Sequence, residues 1–134
     1  MKIEQLISPL DNRYNDKIAD LATNFSESNL NKVRFEIEIE WLIFLCSKGG
    51  KNFPTLSKAN IKNLQALKNS FNEKSAKKVK SIEGKTNHDV KAVEYFIRDE
   101  LKKSSSLKRY EHLVHFALTS EDVNSLSYAI LMRD

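Results

Sequence analysis

The chain has 134 residues, of which 40% are hydrophobic and 30% charged, so it is long enough for one globular domain with an apolar core. With only three glycines and two prolines, the composition predicts an all-α fold of helices joined by short polar connections. No apolar run reaches the roughly 20 residues that cross a bilayer and residues 1–14 lack the apolar core of a signal peptide, so we expect a cytoplasmic protein without a membrane partner, whose net charge of +4 favours anionic ligands.

An irregular lead-in opens the chain. Ser8 and Pro9 are residues that favour turns, and the polar stretch that they begin ends at Arg13 and Tyr14. We expect a short helix around residues 16–22 to follow. The lead-in therefore delivers an arginine and a tyrosine to the start of the helical part of the chain.

The longest apolar segment predicts a helix from about Ser28 to Lys48, ended by the glycine pair 49–50. Residues 35–40 also alternate like a β-strand, but the length of the segment and the glycine stop favour a helix. Cys46, the single cysteine, falls in this segment and has no partner for a disulfide, so we expect it to pack in the core. The predicted apolar face consists of Leu30, Val33, Ile37, Trp41, Phe44 and Leu45.

Two further amphipathic helices are predicted before residue 86. Ser57 is the expected N-cap of the first, and the two apolar stripes are Ile61, Leu64, Leu67 and Phe71, then Ala76, Val79 and Ile82. The densest basic run, Lys74, Lys77, Lys78, Lys80 and Lys85, contains no aromatic residue for base stacking, so we expect a solvated helix face. A helical module that binds nucleic acid remains an alternative, supported only by the modest basicity.

The segment TNHDVKAVEYF, residues 86–96, places a histidine at the start of a helix. Its apolar stripe is Val90, Val93, Phe96, Ile97 and Leu101. Thr86 is the expected N-cap, and Asp89 stands at the position that completes a capping box. His88 then lies beside free backbone N–H groups, where the helix dipole favours a neutral imidazole. Both ordinary capping and a functional histidine fit this pattern.

The segment HFALTSEDVNSLSYAI, residues 115–130, predicts a last helix capped by Thr119 or Ser120. Its expected buried face consists of Val123, Leu126, Ile130 and Leu131. A helix start rich in hydroxyl and N–H groups can bind a carboxylate or phosphate. Glu121 and Asp122 in the first turn would repel such an anion unless they point away, so ordinary capping is the alternative.

The segments SPLDNRY, KTNHDVKAVEYF and HFALTSEDVNSLSYA occur in this order, and together they closely resemble the amino-terminal part of the adenylosuccinate lyase family. The likeness is to the bacterial branch of this family, within the fumarase/aspartase superfamily, and it spans nearly the whole chain. It implies a compact multi-helix amino-terminal domain, residues 1–111, and the first helix of a truncated central bundle, residues 112–134.

The resemblance also implies an activity, the β-elimination of fumarate from adenylosuccinate to leave AMP. The same reaction releases fumarate from the succinyl-carboxamide intermediate of purine synthesis and leaves the aminoimidazole carboxamide ribotide. The expected partners are these small-molecule substrates and, in the full-length protein, three further copies in a homotetramer whose active sites are each assembled from several subunits. No metal, organic cofactor or nucleic acid is implied.

The family's substrate-binding positions fall on both ends of the chain. By position in the matched motifs, Arg13 and Tyr14 are expected to bind substrate, and the guanidinium suits its phosphate. Thr119 and Ser120 are expected to hold the succinyl carboxylate or neighbouring groups through hydroxyl and backbone donors. His115 precedes them closely, but we expect it to pack or to support the site rather than to touch substrate.

The middle motif is expected to line the pocket through Asn87, His88 and Asp89. His88 corresponds to the family's amino-terminal active-site histidine and is the predicted catalytic residue. An imidazole can both donate and accept hydrogen bonds near neutral pH. We expect it to bind and polarise substrate rather than to act as the sole acid.

The chain departs from the family pattern because it ends at Asp134. It contains no THGQPA-like segment, which would bring the second catalytic histidine. It also lacks a GSSxMPxKxNP-like loop, which would bring the serine regarded as the general base. The resemblance therefore implies an amino-terminal fragment that is inactive alone.

Overall fold

The computed structural model describes residues 8–133, which form six α-helices and three short 3-10 helices. The α-helices are α1 (Ala19–Phe25), α2 (Glu27–Lys48), α3 (Lys58–Lys68), α4 (Glu73–Thr86), α5 (Asp89–Lys102) and α6 (Ser120–Arg133), and the 3-10 helices are Pro9–Asp11, Asn15–Lys17 and Lys108–Leu113. This stretch contains no β-strand, so the predicted all-α fold is confirmed. Within it, no helix has both the length and the apolar character needed to cross a bilayer. The expectation of no signal peptide rests partly on residues 1–7, which lie outside the described residues.

Helix α2 is the central element of the fold. Ser26 caps its start by accepting the backbone N–H of Asn29 at 3.3 Å, and Gly50, at φ +81°, takes the backbone conformation that glycine favours just after its end. The helix packs against α1, α3, α4, α5 and α6. A helix with neighbours on several sides buries residues on several faces, which explains why residues 35–40 alternate like a strand and nevertheless form a helix.

The core lies between α2 and the pair α4 and α5. Phe35, Phe71 and Phe96 form its aromatic centre, with ring centroids 5.2 to 6.1 Å apart. Cys46 is buried in the same cluster, so its predicted packing role is confirmed. Burial raises the pKa of its thiol, as expected for a cysteine that acts as a small apolar residue.

Several predicted details hold and two element boundaries change. Ser57 caps α3 by accepting the N–H of Asn60 at 3.1 Å, as predicted. The short helix expected around residues 16–22 is a 3-10 turn followed by α1, which runs to Phe25. Phe71 was assigned to the apolar face of α3, but α3 ends at Lys68 and Phe71 packs on the core from the turn that follows.

Two predicted apolar positions face outward instead of inward. Phe44 is 52% exposed and Leu126 is 49% exposed, so their assignment to buried faces is wrong. On α6 the buried residues are Val123, Ser127 and Leu131, at four-residue spacing, and this leaves Leu126 on the exposed side of the helix. Phe44 and Leu126 line a groove of about 530 Å³, here called the α2/α6 groove, whose apolar members are Ile37, Trp41, Phe44, Leu118, Val123, Leu126 and Ile130.

The predicted basic helix face is confirmed. Its lysines, Lys74, Lys77, Lys78, Lys80 and Lys85, all lie exposed on α4. Two of them already bond carboxylates, Lys78 to Glu100 at 3.3 Å and Lys80 to Glu27 at 2.7 Å. The structure therefore adds no support for the nucleic-acid alternative. The domain boundary expected between residues 111 and 112 falls inside the 3-10 helix Lys108–Leu113 and stays a prediction.

A pair of leucine substitutions tests the burial pattern. We expect Leu42→Ala, at a fully buried position on α2, to lower the free energy of unfolding by about 2–5 kcal/mol, because it leaves a cavity in the core. The matched control Leu126→Ala removes the same atoms from a half-exposed position and should cost less than about 1 kcal/mol. Urea denaturation of both variants measures the difference, and equal losses would contradict this core.

Candidate active site

The turn between α4 and α5 is only two residues long, Asn87 and His88. Asn87 adopts the left-handed conformation, with φ 50°, and its N–H bonds the carbonyl of Glu83 at 2.8 Å, which closes the end of α4. His88 is extended and caps α5, since its Nδ1 accepts the backbone N–H of Lys91 at 3.3 Å. The histidine is thus fixed by both helices.

This geometry corrects the predicted capping box. Thr86 is the last residue of α4 and not the N-cap of α5. Because Asn87 ends α4 in the left-handed conformation, the cap of α5 moves two residues along the chain to His88. The Thr86 hydroxyl instead lies 3.2 Å from the carbonyl oxygen of Ile82 and accepts the N–H of His88 at 3.4 Å. The Thr86 hydroxyl therefore links the last turn of α4 to the backbone of His88.

The capping bond fixes the tautomer of a neutral His88. Nδ1 accepts a hydrogen bond and carries no proton, so the proton of the neutral ring is on Nε2. The carboxylate of Asp89 lies 3.7 Å from Nδ1, which is beyond hydrogen-bond distance and leaves the capping bond as the orienting contact. Among the described residues, no group bonds Nε2. His88 thus offers one N–H donor to a ligand.

An open cleft of about 590 Å³ lies at this turn. Its lining residues are Glu27, Lys80, Glu83, Gly84, Asn87, His88 and Asp89. The single lysine of the lining is already paired, because Lys80 Nζ lies 2.7 Å from Glu27 and 2.9 Å from Glu83. The bonds from Glu27 and then Glu83 raise the pKa of Lys80. The cleft by itself is therefore acidic, and its free donors are polar rather than cationic.

Asp89 is held by a buried arginine on α2. Arg34 Nη2 lies 2.6 Å from Asp89 Oδ2, and the arginine side chain is only 4% exposed against 45% for the aspartate. Partial burial raises the pKa of Asp89, but the backbone N–H of Val90 and the Arg34 guanidinium outweigh it, so the pKa lies below its ordinary value. Asp89 therefore carries its charge at neutral pH and stays directed toward Arg34.

The start of α6 contains the second predicted site segment. Thr119 forms a reciprocal box with Asp122, since its N–H and hydroxyl both donate to Asp122 Oδ2 at 2.7 Å and its Oγ1 accepts the N–H of Asp122 at 3.3 Å. These bonds from the Thr119 backbone and side chain lower the pKa of Asp122. Glu121 accepts a bond from the Ser125 hydroxyl, whereas the carboxylate of Asp122 lies against the Thr119 cap at the helix start. Thr119 is the cap, and the hydroxyl of Ser120 makes no bond in residues 8–133.

The lead-in places Arg13 and Tyr14 between two 3-10 turns, both exposed. The guanidinium of Arg13 lies 5.4 Å from the centre of the Tyr14 ring, and among the described residues it forms no hydrogen bond. Neither residue lines the cleft at His88, and neither do Thr119 and Ser120. Of the predicted site residues, only Asn87, His88 and Asp89 line that cleft together.

A second buried charge on α2 holds the segment that precedes α6. Glu38, 1% exposed, accepts the backbone N–H of His115 at 3.0 Å and lies 2.5 Å from its Nδ1. Burial raises the pKa of Glu38, and the bonds from His115 offset only part of that effect. His115 has φ 63°, a left-handed backbone that the two Glu38 contacts help to hold. His115 thus anchors the entry to the Thr119 cap.

A family model described as a lyase matches residues 12–134, which includes every element of the site. The chain belongs to this lyase family. Its relatives include the adenylosuccinate lyases of Escherichia coli (strain K12), 41% identical over 128 residues, and of Haemophilus influenzae, 42% identical over 127 residues. The adenylosuccinate lyase of Buchnera aphidicola subsp. Schizaphis graminum is 40% identical over 129 residues.

These matches cover 94–96% of this chain and 28% of each of the three relatives. The chain therefore spans about 28% of the length of the curated relatives it matches. The region of similarity contains the His88 turn, the Thr119 cap and the helix α2 that contacts both.

The sequence patterns did not predict the residues that hold the site together. Arg34 and Glu38 are one helical turn apart in a segment that reads as a strand-like alternation of phenylalanine, isoleucine and glutamate. A helical wheel places both beside the buried residues Phe35 and Ile39, and charged residues in such a position require a partner. Two charged residues at helical spacing, each next to a buried apolar position, are the sequence signal that predicts these contacts.

The Asp89 contact predicts a pH dependence of stability. The folded-state pKa of Asp89 is lowered, so its contribution is present above the ordinary carboxyl pKa and is lost as pH falls through the folded pKa. We expect Asp89→Asn to lower the free energy of unfolding by about 1 kcal/mol at pH 7, discounted for exposure, and by almost nothing at about pH 2. Urea denaturation at both pH values measures this difference.

The control is Asp99→Asn, an exposed aspartate on the same helix. It should change the free energy of unfolding by less than about 0.5 kcal/mol at either pH. An Asp89→Asn effect that persists undiminished in acid would contradict the Arg34 contact as its source.

Proposed function

We propose that this chain is the amino-terminal part of an adenylosuccinate lyase, which releases fumarate from adenylosuccinate to leave AMP. The same protein would release fumarate from the succinyl-aminoimidazole carboxamide ribotide. The observation that carries the proposal is the 41% identity over 128 residues with the Escherichia coli enzyme, in a segment that includes the His88 cleft. No cofactor is part of the proposal.

The reaction needs a base that removes a proton from the carbon beside a carboxylate and an acid that protonates the departing nitrogen. His88 supports the binding of substrate, because its Nδ1 is used in capping and the neutral ring has a proton on Nε2. In the proposal this N–H donates to the substrate, and Asn87 and Asp89 complete the wall around it. In the proposal His88 binds and polarises the substrate rather than acting as the sole acid.

The positive charge that an anionic substrate needs is not supplied by the residues that line the cleft. The lining is acidic, and its one lysine is paired with two glutamates. Arg13, exposed and without a hydrogen bond in the described part of the chain, supports the proposed role of phosphate ligand, with Tyr14 beside it. Ser120, whose hydroxyl is unbonded among residues 8–133, and Thr119 are the proposed carboxylate ligands at the start of α6.

Thr119 gives this proposal a specific requirement. Its N–H and its hydroxyl both bond Asp122, so a substrate carboxylate must either displace Asp122 or bind through Ser120 and the remaining backbone donors. In the proposed full-length protein the amino-terminal domain ends at residue 111, and residues 112–134, which include α6, begin the central bundle. We place this protein in the cytoplasm, where its proposed substrates are made.

The proposed assembly is a homotetramer. Its support is the α2/α6 groove, where Trp41, Phe44 and Leu126 leave apolar surface between two helices. Covering such a groove with another helix would remove that surface from water. Sedimentation of the composite enzyme defined below distinguishes a tetramer from smaller species.

The proposal is tested with a composite enzyme, in which this chain replaces the segment that it matches in the Escherichia coli adenylosuccinate lyase. We expect the composite enzyme to form fumarate from adenylosuccinate, and the 134-residue chain alone to form none. A composite that folds and assembles but forms no fumarate would contradict the proposed function. Turnover by the chain alone, purified free of host enzyme, would contradict its role as one part of a larger site.

His88→Gln in the composite enzyme tests the catalytic residue. Glutamine can still accept the Lys91 N–H, so the cap is largely kept, but the imidazole donor is lost. We expect kcat/KM for adenylosuccinate to fall about 100-fold or more, with little change in the melting temperature. The control His112→Gln, at an exposed position of the 3-10 helix, should keep full activity. Unchanged kinetics in His88→Gln would reduce His88 to a helix cap.

A further inference from the structure

Arg34 makes three side-chain hydrogen bonds to three different residues. Its Nη2 lies 2.6 Å from Asp89 Oδ2, its Nε 3.0 Å from Asn124 Oδ1, and its Nη1 3.2 Å from Asn31 Oδ1. The residue is 3% exposed. A guanidinium is planar and rigid, so these bonds fix the directions of its acceptors as well as their distances.

The acceptors belong to the two parts of the proposed site. Asp89 is the first residue of α5 and lines the cleft beside His88, whereas Asn124 lies in α6 one turn after Ser120. Asn31 is one turn before Arg34 on α2, is itself buried, and orients the guanidinium from behind. Arg34 therefore bonds both α5 and α6 near their starts, and so it sets the position of one helix start relative to the other.

We propose that Arg34 is a positioning residue of this site, which fixes the Asp89 carboxylate and the His88 turn relative to the carboxylate-binding start of α6. This inference rests on the proposed function for its kinetic consequence. Arg34 does not touch substrate in this account, since its donors are directed to Asp89, Asn124 and Asn31. Arg34 instead sets the positions of the two walls of the pocket, the His88 turn and the start of α6.

Other charged groups also face Asp89 and enter any pH effect. His88 lies beside it with Nδ1 at 3.7 Å, and the cleft brings Glu27 from α2 and Lys80 and Glu83 from α4. Lys80 is neutralised by its two glutamates. An Arg34 variant therefore removes one cation from beside Asp89 and leaves the other charged groups near Asp89 unchanged.

The first test uses the 134-residue chain and follows the Asp89 carboxyl carbon by NMR. Arg34→Gln removes the cation, so we expect the pKa of Asp89 to rise and the NOE contacts between α5 and α6 to weaken. Arg34→Lys keeps a charge but not the three-pronged geometry, so the pKa should stay near the wild-type value while the contacts weaken. Lys32→Gln, which removes an exposed charge from the same helix, should change neither.

The second test uses the same variants in the composite enzyme. A misplaced wall should lower kcat per assembled enzyme about 100-fold in Arg34→Gln, and the kcat of Arg34→Lys should stay below about a tenth of the unsubstituted value. A role in folding alone would lower the melting temperature or the assembled fraction but leave kcat per assembled enzyme unchanged. Lys32→Gln should keep both rate and stability.

The outcomes separate the two claims. Low kcat per assembled enzyme in both Arg34 variants, with the NMR changes above, supports Arg34 as a positioning residue. An unchanged Asp89 pKa in Arg34→Gln, or full kcat in assembled Arg34→Lys, overturns it. If the unsubstituted composite forms no fumarate while the NMR changes occur, the proposed function fails and the control of Asp89 by Arg34 stands.

Discussion

The buried guanidinium of Arg34 is the constraint on which the arrangement of the helices depends. A charge removed from water is costly unless partners compensate it, and here Asn31, Asp89 and Asn124 all bond it. These partners come from α2, α5 and α6, so the charge is satisfied only when the starts of α5 and α6 meet against α2. Apolar packing alone fixes helix positions loosely, whereas a planar cation with three acceptors selects one register.

Glu38, one turn further along α2, is a second buried charge whose hydrogen bonds hold a neighbouring segment in place. It bonds both the backbone and the ring of His115 and so holds the left-handed segment from which α6 begins. Arg34 and Glu38 together make one edge of α2 polar while Phe35, Ile39 and Leu42 keep the adjacent face in the core. The candidate site is consequently built on a helix that is itself locked in the core, which is how a pocket wall gains a precise position.

The sequence predicts the parts of this structure that depend on local patterns. The stripe from Val90 to Leu101, the Ser57 cap and the helical path of residues 35–40 follow from periodicity and capping chemistry. The sequence does not predict features that depend on the backbone conformation of a single residue or on packing against a distant helix. The left-handed Asn87 moved the cap from Thr86 to His88, and the face of α6 that packs on α2 leaves Leu126 exposed, neither of which a linear pattern contains. The roles assigned to Arg13, Tyr14, Thr119 and Ser120 stay predictions.

The central claim is that the His88 turn and the start of α6, joined through Arg34, form two walls of one lyase pocket. A crystal structure of the composite enzyme with AMP and fumarate bound tests it most directly. The account predicts ligand atoms within hydrogen-bond distance, about 3.5 Å or less, of His88 Nε2 and of a donor at Ser120 or Thr119, with Arg34 bonded to Asp89 and Asn124 as here. Ligands bound at a site that these residues do not reach would contradict it.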